Sequence, residues 1–507
     1  MTSLPRLSTA TLDALTAAGL PASVAAPALP DRTAPPGIVH LGIGAFHRAH
    51  QAVFTQAAAG ATGDARWGIV GVTQRSAGVR DQLAPQDGLY GVLELSDHGT
   101  RLDLIGQVRD VLFPAEQTAD VLAAVVAPTT HIVSLTVTEK GYRRAAGGGP
   151  DMADASLAFD LDLLARELDG AADASVTSRS AVGLLLRGLA HRWHAGGEPV
   201  TVLVCDNLMD NGPQVERLVH AIVEACPAAA ASGFGDWLRA AVTFPATMVD
   251  RIVPATTDAH RATAQGLLGA TDAGLVVAEP FMQWVIEDRF AGPRPEWERA
   301  GAQLTDDVGP YEHTKLRILN GTHSALAYLG ALRGHELIAD AVADPELHAF
   351  ARALIDEDAI PSLGQVSEID LAAYRESVLE RFANAAIGHT TVQIAMDGSQ
   401  KLPIRFLATA RDRLAAGTVP HAIARAVAAW MLYVRETSAG RLEVAERRVD
   451  LDDPLANLLG ELAAGPLDSL ADRLIDGSGI FPADVADDDR FRAAVRSAVA
   501  DLEGVTV

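Results

Sequence analysis

Between Tyr311 and Gly330 the chain reads YEHTKLRILNGTHSALAYLG, and four of its polar residues, Glu312, Lys315, Asn320 and His323, form a set that can move a proton. At about 100° per residue the four fall within an arc of roughly 140° on an α-helix, so one face can carry them all. Lysine and histidine can take or hold a proton, an amide can donate to an oxygen, and a carboxylate can connect the group to water. The polar side of a solvated helix has the same composition, so residue types alone leave both readings open. A second candidate is IVHLGIGAFHRAHQA (Ile38–Ala52), where Gly42 and Gly44 follow an apolar run and open a helix. That spacing lets a backbone turn tightly and approach a pyrophosphate at a helix N-terminus. His47 stands where the usual fingerprint has its third glycine. Phe46, His47 and Arg48 are assigned to the cofactor loop; His47 and His50 lack the further ligands that a zinc site needs.

These groups need a scaffold, and the chain alternates strand and helix patterns to provide one. Residues 1–36 form an N-terminal arm with a short helix and the proline-rich PALPDRTAPP. GIVHLGIG, WGIVGVT, HIVSLTV and VTVLVCDN are continuous apolar runs, as expected of strands buried on both faces of a parallel sheet. Helical patterns lie between them, at Ala155–Leu168 and Ala181–His194, and beyond about residue 300 only helical patterns remain. The fold class is therefore α/β: a Rossmann-type N-terminal domain over 37–300 and a mostly α-helical substrate and catalytic domain over 301–507, joined near FAGPRPEWERAGAQLTDDVG. The second strand ends in VGVTQRSAG, where an NAD site usually carries an acid on the ribose; Arg75 stands there and can accept a 2′-phosphate, which leaves NAD against NADP open.

Composition narrows the function classes. A formal net charge of −24 argues against nucleic acid or an anionic membrane as partner. Two cysteines, Cys205 and Cys226, exclude a disulfide framework and point to a cytoplasmic protein. There is no signal-peptide pattern and no apolar run near the roughly 20 residues that a membrane span needs.

Six segments in order, GIGAFHRAHQ, TVTEKGY, CDNLMDNG, FPATMVDRIVP, KLRILNGTHS and AMDGSQKLP, resemble the polyol-specific long-chain dehydrogenases, a family that includes mannitol 2-dehydrogenases and fructuronate reductases (mannonate oxidoreductases). The resemblance spans residues 37 to 405. It implies metal-free hydride transfer between a nicotinamide cofactor, commonly NAD, and a linear polyol, ketose or sugar acid, in a cleft between the two domains. It implies that Lys315 is the catalytic base, Asn320 and His323 its partners, Asn211 the second amide at the substrate oxygen, and Glu312 the proton exit. Asn207 joins the cofactor residues on the same grounds. Asp250 and Arg251 are assigned to substrate, with a structural ion pair as the competing explanation, and Glu139 ends a strand at the edge where ligands bind. Arg381, Lys401 and Arg405 supply cations suited to a carboxylate, which favours D-mannonate/D-fructuronate over D-mannitol/D-fructose. A monomer or small homo-oligomer is expected. The competing classes are a nucleotide sensor without chemistry, which has no use for a proton acceptor, and a zinc enzyme, which the scarcity of cysteine disfavours.

Overall fold

The structure is a computed structural model that describes residues 4–27, 31–145, 147–171, 173–364, 366 and 369–503, with the side chains of Glu139, Lys140 and Ala230 outside the described set. The chain divides into two compact units, Met1–Gly309 and Pro310–Val507.

In the first unit, six strands make one sheet: β1 (Ile38–Leu41), β2 (Ile69–Val72), β3 (Val108–Leu112), β4 (Ile132–Leu135), β5 (Val200–Val204) and β6 (Val242–Thr243). Every pairing is parallel and the spatial order is 3-2-1-4-5-6, the doubly wound order whose winding reverses between β1 and β4. Every residue of β1, β2, β4 and β5 is buried, which is the burial that their Val/Ile/Leu runs call for. The edge strand β3 has no such run, because VRDVL carries a half-buried Arg109 and an exposed Asp110, and an edge tolerates charge. His40 is the polar exception inside β1. Its two ring nitrogens pair with Ser134 Oγ and Thr136 Oγ1 on the β4 side, each at 2.8 Å, and burial pushes its pKa down to about 3.

Two smaller sheets complete the unit. Tyr90–Ser96 and Gly99–Ile105 form an antiparallel pair flanked by Val24–Ala25 and Val276–Ala278. The N-terminal segment is anchored there, since Val24 pairs with Leu102 and the Leu7 amide donates to Thr271 O. The strands Thr247–Asp250, Gln283–Glu287 and Gln303–Thr305 form the other sheet. Cys205 and Cys226 are both buried free thiols of this unit.

The second unit is helical around the long helix His421–Ser438, against which Gly321–Leu332 and Asp489–Leu502 pack. Among the described residues no helix is long and apolar enough to cross a membrane. Gly309–Thr314, Lys315–Asn320 and Gly321–Leu332 run on as one rod whose middle segment is a π-helix. Two further π segments, Leu354–Ala359 and Pro403–Leu407, pack against that middle segment.

Candidate active site

In the first unit the candidate residues gather at the carboxyl edge of the main sheet. Gly42 caps β1 with φ +101°, and a Cβ there would lie 2.1 Å from Thr136 O, just past β4. Only glycine fits, so the loop crosses the sheet at the point where its winding reverses. Gly44 is different: its φ is −82°, it is exposed, and its added Cβ would meet nothing closer than 3.7 Å. The exposed rim at Gly44 and Ala45 is a backbone cradle open to a ligand. Phe46 is half-buried and stacks on His50 at 5.1 Å. Arg75 is exposed beyond β2, and Asn207 is exposed beyond β5. Asp250 is buried at the end of its strand. Glu139 lies in the turn Glu139–Tyr142 after β4, but its side chain is outside the described residues.

Four assignments need correction. His47 does not reach a ligand from the loop: it is buried, its ring stacked on His40 with centroids 3.4 Å apart. Arg48 is also turned inward, bonded to Gly44 O and Gly274 O with its guanidinium over the Tyr90 ring, so it supports the loop from behind. Arg251 has a fully buried side chain that donates to Glu279 O and Ala49 O and pairs with Glu94, leaving nothing for substrate. Asn211 is the fourth. Its Nδ2 donates to Asp206 O at 2.9 Å and Thr247 O at 2.8 Å, while its Oδ1 accepts from the Gly212 and Thr247 amides. Both amide hydrogens are spent and the residue is fully buried, so Asn211 ties the turn after β5 to the Thr247–Asp250 strand and is no oxyanion donor.

Sequence reasoning also missed Asp206. Its carboxylate accepts the Val137 and Thr138 amides and the Tyr142 hydroxyl. Thr138 has φ +66°, a costly conformation for a β-branched residue, and Asp206 holds it there at the ligand edge of β4. The only signal was an acid directly after an apolar strand.

In the second unit Glu312, Lys315, Asn320 and His323 all keep 7–8% exposure, while Ile318, Thr322 and Ala325 have none. Arg317 is exposed to the same degree, Leu316 is half-buried and His313 is exposed, so exposure alone does not set the four apart on the rod. An α-helix would splay Lys315 and Asn320 by about 140°, but a π segment closes i→i+5 hydrogen bonds and draws residues five apart together. Gly321 follows because a Cβ there would sit 3.3 Å from Arg405 O on the third π segment; helix packing explains this glycine.

His323 lies between the Phe382 and His389 rings, at 4.6 and 5.7 Å, with its Nε2 buried and unpartnered among the described residues. Burial, then His389, then the positive charges of Arg405, Arg381 and Lys401 hold its pKa well below the ordinary range, so it is neutral at pH 7. His389 is a further candidate, by its ring contact with His323, that its sequence context did not flag. Arg405 donates to Ser324 Oγ at 2.7 Å and Asn320 O at 3.4 Å, and Lys401 Nζ donates to Ile394 O at 3.2 Å. Among the described residues neither has a carboxylate in contact, although Asp397, Asp453 and Asp452 act on Lys401 from further away. Burial, then Arg405, pushes the Lys401 pKa down to about 8. Arg381 is buried in the helix Leu371–Ala383. Among the described residues no three His, Cys, Asp or Glu side chains converge as a metal site.

Comparison with known proteins covers both units. The family described as Mannitol dehydrogenase Rossmann domain matches residues 36–299, and Mannitol dehydrogenase C-terminal domain matches residues 307–503. The chain is 39% identical to the D-mannonate oxidoreductase of Escherichia coli (strain K12) over 473 residues, 92% of this chain and 93% of that one. It is 39% identical to the mannitol 2-dehydrogenase of Cereibacter sphaeroides over 415 residues, 81% of this chain and 83% of the other. The solved structure of Pseudomonas fluorescens mannitol 2-dehydrogenase, a ternary complex with NAD and D-mannitol, superposes with TM-score 0.81 at 35% identity, covering 99% of this chain and 98% of that one.

Proposed function

The chain belongs to the mannitol dehydrogenase family, and from that premise we propose that it interconverts a sugar acid, D-mannonate, and its 5-keto form, D-fructuronate. It is an NAD-dependent oxidoreductase acting on CH–OH groups. The open Gly44 rim and the glycine-only turn at Gly42 fit a dinucleotide pyrophosphate. Bound NAD supplies the hydride acceptor for alcohol oxidation, or NADH the donor in reverse.

The chain's own residues handle the proton and the oxygen. Lys315 takes the hydroxyl proton as base, and Asn320 donates an amide N–H to the oxygen as negative charge develops on it, an interaction worth a few kcal/mol, roughly. His323, held neutral, can accept from Lys315 or from a neighbouring substrate hydroxyl without adding a competing charge. Glu312, one helical step before Lys315, passes the proton toward water. Asn207, at the exposed strand end, is assigned to the cofactor.

One observation supports the sugar-acid assignment: Lys401 and Arg405 are cations in a largely buried setting near His323, with no carboxylate in contact among the described residues. Buried charge is costly, Asp397, Asp453 and Asp452 offset that of Lys401 only from a distance, and a substrate carboxylate in contact would neutralise it through charge-assisted hydrogen bonds. A neutral polyol would not. Steady-state kinetics of wild type and Lys401→Met with D-mannonate and D-mannitol tests this. The variant should lose about tenfold or more in kcat/KM for the acid and much less for the polyol. The second reading, a mannitol 2-dehydrogenase, is favoured by the likeness to the Pseudomonas fluorescens enzyme solved with D-mannitol, and it takes over if both activities fall equally.

A further inference from the structure

We propose that Arg75 sets the nucleotide preference by accepting the 2′-phosphate of NADP(H), so that this chain binds NADP(H) at least as tightly as NAD(H). The inference rests on the nicotinamide-dependent reading above and concerns the far end of the same nucleotide.

In a doubly wound sheet the adenosine ribose lies beyond the carboxyl end of the second strand. An acid there accepts from the 2′-hydroxyl of NAD, and an arginine there suits the 2′-phosphate of NADP. The end of β2 is joined to the glycine loop, because the Gly42 and Ile43 amides both donate to Val72 O, at 2.8 and 3.2 Å. From that carbonyl the chain runs Thr73-Gln74-Arg75-Ser76-Ala77-Gly78, with no acid before Asp81. No hydroxyl-accepting carboxylate is therefore present where NAD selectivity normally resides.

What is present has the opposite sign. Arg75 is exposed and has no hydrogen bond or ion pair with any described residue. Arg80, in the helix that follows, is by contrast committed: it pairs with Asp81 at 2.9 Å and Glu116 at 2.6 Å. Those pairs also neutralise the two carboxylates that would repel a 2′-phosphate. Arg75 is left as the uncommitted guanidinium of this turn, with a planar fork matched to phosphate oxygens. The exposed Ser76 hydroxyl beside it can donate to the same group.

Fluorescence titration of the full-length protein with NADH and with NADPH tests the proposal in wild type, Arg75→Ala and Arg75→Asp. Arg75 is exposed and makes no hydrogen bond or ion pair among the described residues, so neither variant should alter the thermal melt. In wild type the dissociation constant for NADPH should equal or fall below that for NADH. Arg75→Ala should weaken NADPH by about tenfold or more and change NADH by less than about twofold; Arg75→Asp should widen the gap. Added KCl should weaken NADPH more than NADH. NADPH binding clearly weaker than NADH in wild type, or an Arg75→Ala effect equal for both, would overturn the assignment while leaving the dehydrogenase reading intact. If neither nucleotide binds, the dehydrogenase reading itself fails, and the inference with it.

Discussion

At the scale of single residues, what each polar group is already bonded to separates chemistry from scaffolding. Lys315→Ala should lower turnover by about a hundredfold or more, since general base catalysis contributes about that much, while the NADH dissociation constant stays within about twofold. Near wild-type turnover would remove Lys315 from the mechanism. Asn211→Ala should act on stability instead, because it strands Thr247 N, Thr247 O and Asp206 O in the interior. A loss of about 2–4 kcal/mol in denaturant unfolding is expected, and unchanged stability with lost turnover would return Asn211 to the active site. The motif CDNLMDNG holds two asparagines, and nothing in its letters says which one turns inward. Lys401 gives a pH test. With its pKa at about 8 it is charged below that pH and neutral above, so the ratio of kcat/KM for D-mannonate to that for D-mannitol should fall as pH rises through about 8. Taking the ratio cancels the ionisation of Lys315, and a flat ratio from pH 6.5 to 9.5, roughly, would exclude Lys401 from carboxylate recognition.

Elements decide where those residues point. The loop after β1 carries two glycines with different reasons to be glycine. Gly42→Ala should lower the melting temperature of the ligand-free protein markedly, because its side chain has a backbone carbonyl 2.1 Å away and a positive φ. Gly44→Val should leave that temperature nearly unchanged and weaken cofactor binding strongly, because its side chain enters only the exposed rim. Equal cofactor affinity in Gly44→Val would make the loop an ordinary strand–helix turn. The four central strands were legible because two-sided burial demands unbroken apolar runs, and helices Ala155–Leu168 and Ala181–His194 were legible through their periodicity. Edge strand β3 was hidden by Arg109 and Asp110. The π segment at Lys315 was hidden more deeply, since KLRILN fits an ordinary helix and the extra residue per turn is imposed by packing against Leu354–Ala359 and Pro403–Leu407. Sequence reading thus named Lys315, Asn320 and His323 as candidates but gave no sign of the π turn that separates Lys315 from Asn320.

For the whole molecule, a surplus of acids gives a net charge of −24, yet the charges that act on His323 are the cations Arg405, Arg381 and Lys401. Contact distance wins over the global field, because charges beyond about 8 Å are largely screened at physiological ionic strength. The placement of the two cysteines has a separate use. Both are buried in the Met1–Gly309 unit, and burial raises the Cys205 thiol far above its ordinary range, so neither reacts while that unit is closed. Alkylation of the native protein is then a clock that counts openings of the nucleotide-binding half alone, with the helical half silent. A ligand that binds only the closed form should slow the clock by the factor 1 + [L]/Kd, about a hundredfold at 100 Kd. Mass spectrometry of thiol modification with and without NADH would read the affinity with no optical signal. A rate indifferent to saturating NADH would mean that the thiols become accessible without loss of the nucleotide fold.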